Sequence, residues 1–142
     1  MNELHRCLPR LAGRSAIGHF ALTFSSDSFQ TENIDVEMGF LLDSDVVGTV
    51  RLSDGRVMTV RTLPAIETMA TVVHVGIADH ERYYGTLGIW MEHNHFQLAG
   101  PGREVFIEPF QPTKLDQAVI EIQLPVTRSV GDHVSDHALL TR

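Results

Sequence analysis

This sequence predicts an α+β fold, with helices on one face of a mainly antiparallel sheet, and three observations carry that prediction. Several segments alternate apolar and polar residues as strands do, among them Phe20-Ala21-Leu22-Thr23-Phe24 and Ile120-Glu121-Ile122-Gln123-Leu124. Residues 79–93 carry Tyr83, Leu87, Trp90 and Met91 at helical spacing. The order helix, strand, strand also occurs twice. It runs first through Phe20 to Phe24 and Val36-Glu37-Met38, then through Val105-Phe106-Ile107 and Ile120-Glu121-Ile122. Strands around Val57 to Val75 precede the second copy. None precedes the first, so the reading is two strand-helix-strand-strand repeats of which the first lacks its opening strand. Such a duplication places two helices on one sheet face and a ligand pocket between the repeats.

The elements follow in order. Residues 2–13 predict a short helix with Leu4, Leu8 and Leu11 on one side, although Pro9 removes a backbone donor there. Residues 19–25 and 34–42 predict strands, separated by a polar loop. Asp43 to Asp45 and Ser53-Asp54-Gly55 are turn signals. Residues 57–63 and 68–75 predict two further strands, with Pro64 marking a bend between them. The clearest helix, 79–93, is ended by Asn94 and Gly100-Pro101-Gly102. Residues 104–110 and 118–124 predict the last two strands. Residues 1–126 are expected to form one domain and 127–142 a C-terminal tail, with a short helix near His133 to Leu140 as the alternative.

Bulk properties narrow the function. The 142 residues suffice for one domain with a real core. A composition of 43% hydrophobic and 20% charged residues is that of a globular chain. The net charge of −7 argues against a nucleic-acid surface and favours cationic small molecules or basic partners. The single cysteine, Cys7, excludes an internal disulfide and fits a reducing, cytoplasmic setting. No apolar run is long enough to span a membrane, and the first residues are not those of a signal peptide. His93 with His95, and His133 with His137, invite a metal reading, but no third ligand follows at zinc-site spacing. No metal or cofactor is expected. No phosphate loop, nucleophile elbow or catalytic triad stands out.

Glu104 is the most informative single residue. On a strand, Val105 and Ile107 would face the core while Glu104, Phe106 and Glu108 face the other side. A carboxylate beside an aromatic ring suits an organic cation, through charge and stacking. The alternative is a solvated edge carboxylate beside a half-exposed Phe, and the residues alone favour it. For Trp90 core packing is the favoured role, and for Tyr84 the rim of the site. Phe40 reads as core. Glu37 and Glu121 occupy equivalent places in the two repeats, either lining the concavity or in solvent.

An ordered set of short segments resembles a known family. Asp35-Val36-Glu37-Met38-Gly39, Leu63-Pro64-Ala65 and His74-Val75-Gly76 come first. The helix with Tyr84, Leu87 and Trp90, Gly100-Pro101 with Glu104, and Glu121 to Val126 then follow. Their order and spacing are similar to gyrase-inhibitor-like (GyrI-like) small-molecule-binding domains, over about residues 1–126. Such domains serve as effector-binding domains of MerR-type and AraC-type multidrug-responsive transcription regulators, and as stand-alone proteins. The resemblance implies a pocket for lipophilic, often cationic, aromatic compounds. It also implies a ligand-facing glutamate at the position of Glu104. Three features depart from the family pattern. The opening strand is absent, Phe106 stands where the family often has Tyr, and Ile77-Ala78 replaces an aromatic after His-x-Gly.

The functional expectation is a stand-alone, non-enzymatic binding protein for lipophilic organic cations. It would act by sensing or sequestration, with a separately encoded regulator as partner and no direct nucleic-acid or membrane binding. The expected ligand-binding residues are Glu104, Phe106, Tyr84, Tyr83, Trp90, Glu37 and Glu121. A monomer is expected first and a homodimer second. The alternatives are a small-molecule hydrolase using Glu104 and a gyrase-type protein-interaction module.

Overall fold

Alternating apolar residues form the strands the sequence predicts, and the way those strands pair decides which face each residue meets. The computed structural model describes residues 17–24, 34–43, 48–108 and 111–129. Strands β1 (Ile17–Phe24), β2 (Val36–Leu42), β3 (Gly48–Arg51), β4 (Val57–Val60) and β5 (Met69–Val75) precede helix α1 (His80–His93). Strands β6 (Phe96–Leu98), β7 (Arg103–Phe106) and β8 (Val119–Arg128) follow it, with a 3₁₀ turn at Leu115–Gln117 before β8. The expected helices at 2–13 and near His133 lie outside the described residues.

The main sheet runs β2-β1-β7-β8-β5, and β6 pairs with the far end of β8. Every pairing is antiparallel. In chain order β5, α1, the short β6, β7 and β8 follow one another. In the first half β1 pairs β2 as β7 pairs β8, and β1 and β7 meet at the centre. The register puts Phe20 opposite Phe106 and Leu22 opposite Glu104. It also puts Glu104 opposite Ile122 and Phe106 opposite Ile120. A small hairpin of β3 and β4 stands apart from this sheet. Its turn is the expected Ser53-Asp54-Gly55, closed by the Asp54 carboxylate on the Arg56 backbone N–H at 3.0 Å and side chain at 2.7 Å.

Helix α1 covers the β5–β8 half of the sheet. Leu87 and Met91 pack with Ala70, Ile122, Leu124 and Val126 into one buried cluster, joined by Val72, Tyr83, Tyr84, Phe96 and Leu98. A second cluster, Phe20, Phe106 and Ile120, lies on the same face and gathers Leu22, Phe40 and Ala118. Phe40 is therefore partly core, as expected.

Three expectations are corrected. Glu104 and Phe106 face the helix side, not a face away from the core. Period-two alternation separates the two faces of a strand but does not say which one a helix will cover. Val105 is buried on the opposite face beside Ala21, and Ile107 lies beyond the strand and is exposed. The helix rotates by about one residue from the expected face, so His80, Tyr84, Leu87 and Met91 point inward while Trp90 is 44% exposed. Strand β8 continues to Arg128, four residues past the expected end, because β6 provides Phe96 and Gln97 as partners for Arg128 and Thr127.

Candidate functional site

The site begins with a chain reversal between β5 and α1. Strand β5 presents Ala70, Val72 and His74 to the helix side at alternate positions. Gly76 then adopts φ 77°, and its N–H bonds the Ala118 carbonyl at 2.8 Å. A Cβ at this position would stand 2.8 Å from the Asp116 carbonyl oxygen, so both conformation and contact call for glycine. Asp79, with φ 57°, enters the helix in the left-handed region, and its carbonyl accepts the Arg82 N–H at 2.9 Å. This reversal brings His80, the first residue of α1, beside His74. Their rings lie edge to face, 5.2 Å between centroids.

One helical turn further, Tyr84 lies over Glu104 of β7. The Tyr84 hydroxyl donates to Glu104 Oε1 at 2.7 Å, and His80 Nε2 lies 2.6 Å from the same oxygen. His80 and Tyr84 contact each other edge to face at 5.3 Å. Tyr83 stacks flat on His74, with centroids 4.3 Å apart and planes at 12°. Phe24 meets Tyr84 edge on at 6.4 Å. Glu104 is thus a buried acid held by His80 and Tyr84, with His74 and its stacked Tyr83 beside His80.

Burying a carboxylate is costly unless it is hydrogen-bonded, and charge-assisted bonds at these lengths are the strong kind. The bond to Glu104 raises the His80 pKa above its ordinary 6.5, against the opposing effect of burial, with further help from the charges of Glu104 and Glu81. His80 therefore forms an imidazolium readily, and its Nε2–H donates to the carboxylate. Burial, and then the charge of Glu104, push Tyr84 far upward, so its hydroxyl remains a donor. His74 moves the other way: burial, followed by repulsion from His80, keeps it below 6.5 and neutral. Nδ1 of His80 is buried without a hydrogen-bond partner among the described residues, and the buried ring nitrogens of His74 have at most a weak contact with the Gly76 backbone. The site thus has more polar atoms than partners, and such atoms call for a guest molecule or water.

The expected site residues divide into two groups. Glu104, Tyr84 and Tyr83 come together, and Phe106 lies one alternation along β7 on the same face, within the Phe20 cluster. Phe106 packs against Phe20 at 5.4 Å between ring centroids. The structure does not bring the other three to Glu104. Trp90 stacks on Phe96, 5.3 Å away, on the outer side of α1. Glu37 pairs with Arg61 at the exposed β2 side. Glu121 points to the opposite sheet face, where Gln123 Nε2 donates to it at 2.9 Å and Arg103 donates to Gln123 at 2.5 Å.

His74 and His80 were missed from the sequence, and both carried a signal. His74 continues the parity of Ala70 and Val72 on β5, and His80 stands four residues before Tyr84 on the helix. Among the described residues no three His, Cys, Asp or Glu side chains group so as to hold a metal ion. No helix of the described residues is long and apolar enough to cross a membrane.

No family model and no curated protein sequence matches the chain. Solved structures do. The crystal structure of the EcmrR C-terminal domain is similar at a TM-score of 0.60 and 21% identity, covering 88% of this chain and 78% of that one. The EcmrR chain in the cryo-EM structure of an EcmrR-DNA complex is similar at a TM-score of 0.58 and 26% identity. That match covers 79% of this chain and 40% of the other, so the present chain spans less than half of that EcmrR chain. The likeness is one of fold: this chain is built like the C-terminal domain of EcmrR.

Proposed function

We propose that this chain is an effector-binding domain that takes lipophilic, cationic aromatic molecules at Glu104. The observation that carries the reading is the buried Glu104 carboxylate held by Tyr84 and His80 under the start of α1, with aromatic rings around it. A fixed negative charge in an apolar, aromatic setting rewards a cation with both charge and ring contact. The buried Nδ1 of His80, without a partner among the described residues, supports a site built to receive a guest. The fold shared with the EcmrR C-terminal domain, and the GyrI-like pattern of short segments, support the same role. Since the similar EcmrR chain is seen in complex with DNA, the response would pass to a transcription regulator.

The test is a thermal-shift series of quaternary aryl ammonium and phosphonium ions against neutral molecules of the same shape. Ligand at a hundred times its Kd adds about 2.7 kcal/mol of stability, an easily read shift. Cations are expected to raise the melting temperature. Glu104→Gln is expected to weaken them about tenfold or more, since interactions with charged groups contribute ~1.5–3 kcal/mol. Equal weakening of neutral ligands would assign Glu104 to packing.

A second reading has one observation in its favour. Glu104 has partners that hold and orient it, His80 and Tyr84, as a general acid or base requires. Slow hydrolysis of an activated ester, abolished by Glu104→Gln with the fold intact, would support an enzyme.

A further inference from the structure

Glu104 already faces a side chain of the protein itself that carries a positive charge when protonated. His80 Nε2 lies 2.6 Å from Glu104 Oε1, where an ammonium or the edge of a charged ring would make its own ion pair. The His80 side chain is 28% exposed and that of Glu104 only 6%, so His80 is the outer partner of the pair. A guest that approaches the carboxylate must contend with that imidazolium. We infer that His80 is the specificity-determining group of the site: it holds the place of a ligand's cationic centre, so that a cation binds with loss of the His80 proton while a neutral ligand leaves that proton in place. This deepens the cation-binding reading and rests on it.

The groups facing His80 fix the sign. From β7 comes Glu104, which favours the imidazolium, and from α1 come Tyr84, a neutral donor, and Glu81, which adds a weaker favourable charge. From β5 comes His74, whose ring lies 5.2 Å away and is itself stacked on Tyr83. Two imidazolium ions at that separation repel, so His74 stays neutral when His80 is charged. A ligand cation beside Glu104 adds a second positive charge next to His80 and competes for its hydrogen-bond acceptor. Both effects lower the affinity of His80 for its proton. Binding and protonation are then coupled, and by reciprocity the proton weakens the ligand as the ligand weakens the proton.

The consequence is a selectivity that changes with pH. Below the window in which His80 titrates, the resident proton opposes every cation and the site favours neutral aromatic molecules. As pH rises through the window, which runs from the lower value of the cation-bound protein to the raised value of the free protein, cations gain by up to about tenfold per unit. Above it, the imidazole is neutral and the carboxylate is available to the guest at no cost in protons.

The experiment pairs two isosteric probes, the permanently charged 10-methylacridinium ion and the neutral 9-methylanthracene. Calorimetric titrations of the whole chain across pH 5.5–8.5, in buffers of different ionisation enthalpy, give both affinity and protons released. Acridinium affinity is expected to rise with pH and to release close to one proton at mid-window, while the neutral probe stays flat. In His80→Gln, whose amide can still donate to Glu104 but does not titrate, the acridinium profile flattens and binding at low pH improves. NMR titration of the wild-type histidine C2–H signals gives a second readout that needs no variant: the His80 pKa falls when acridinium is bound. Glu104-dependent acridinium binding that is flat with pH, with an unmoved His80 pKa, would overturn this inference alone. Failure of acridinium to bind at any pH would overturn the cation-binding reading with it.

Discussion

The two histidines beside Glu104, His80 and His74, are shifted in opposite directions, and their effect on stability follows from the signs. His80 has its pKa raised above 6.5 in the folded protein. Its contribution is fully present below 6.5 and is lost as pH rises through the folded value. His74 has its pKa lowered. Its neutral, stacked state is favourable above 6.5, and stability falls as pH drops from there toward the folded value. The pair therefore sets a stability maximum close to pH 6.5. Melting temperatures measured from pH 5 to 8.5 are expected to fall on both sides, with His80→Gln removing the alkaline arm and His74→Phe the acid arm. Tyr84→Phe removes a donor from the buried carboxylate and is expected to cost about 1.5–3 kcal/mol in chemical denaturation. At this scale the sequence revealed the acid but not its surroundings. The segment Gly-Arg-Glu-Val-Phe marks Glu104 as a strand carboxylate beside a ring. Only the register, with Leu22 and Ile122 as cross-strand neighbours, shows that its face is the buried one.

Helix α1 ties the site to the core. Its inward positions, His80, Tyr84, Leu87 and Met91, follow the four-three-four spacing of one helix face. Its first turn thus serves the site while its last two turns pack on Ala70, Ile122, Leu124 and Val126. Leu87→Ala opens a hole in that packing and is expected to cost about 2–5 kcal/mol in denaturant unfolding, weakening the site only through stability. Gly76→Ala acts on the entry to the helix. Its φ of 77° and the 2.8 Å approach to the Asp116 carbonyl would force the reversal to shift, moving His80 relative to Glu104. Lower stability together with a changed His80 titration is the expected result, and an unchanged titration would show that the helix start tolerates the shift. The helix was legible because fourteen residues give a periodic signal several turns long. Strands β3 and β6, four and three residues long, were not, because neither lies in a longer alternating stretch of sequence, as β4 and β7 do. Each becomes a strand through its partner: β3 through the Ser53-Asp54-Gly55 turn that folds β4 onto it, and β6 through the end of β8.

The molecule as a whole is organised around β8. It pairs with β7 and β5 along its first part and with β6 at its end, and its Ile120, Ile122, Leu124 and Val126 supply both buried clusters. Ile122 is fully buried at the point where Glu104 and Val72 flank it on neighbouring strands. The antiparallel architecture was legible in the sequence because each long strand carries its own alternation. The sheet order was not, because it depends on contacts between segments some eighty residues apart, such as Leu22 with Glu104. The C-terminal boundary shows what such contacts decide. Past Leu124, the Ala99 N–H bonds the Pro125 carbonyl at 2.9 Å, the Val126 N–H bonds Thr68 at 3.1 Å, and the Ser129 N–H bonds His95 at 2.8 Å. These bonds secure the C-terminal end of α1 and the elements beside it: Thr68 leads into β5, His95 follows the last helical turn, and Ala99 follows β6. A chain ending at Ser129 keeps them all and is expected to melt cooperatively within a few degrees of the full-length protein. A chain ending at Leu124 loses the β6 pairing and the buried Val126 as well, and is expected to unfold or precipitate at ambient temperature. Calorimetric melting of the two truncations decides the matter. A stable, cooperative Leu124 truncation would mean that α1 is held by the sheet alone, whereas collapse of the Ser129 truncation would place residues 130–142 within the folded unit.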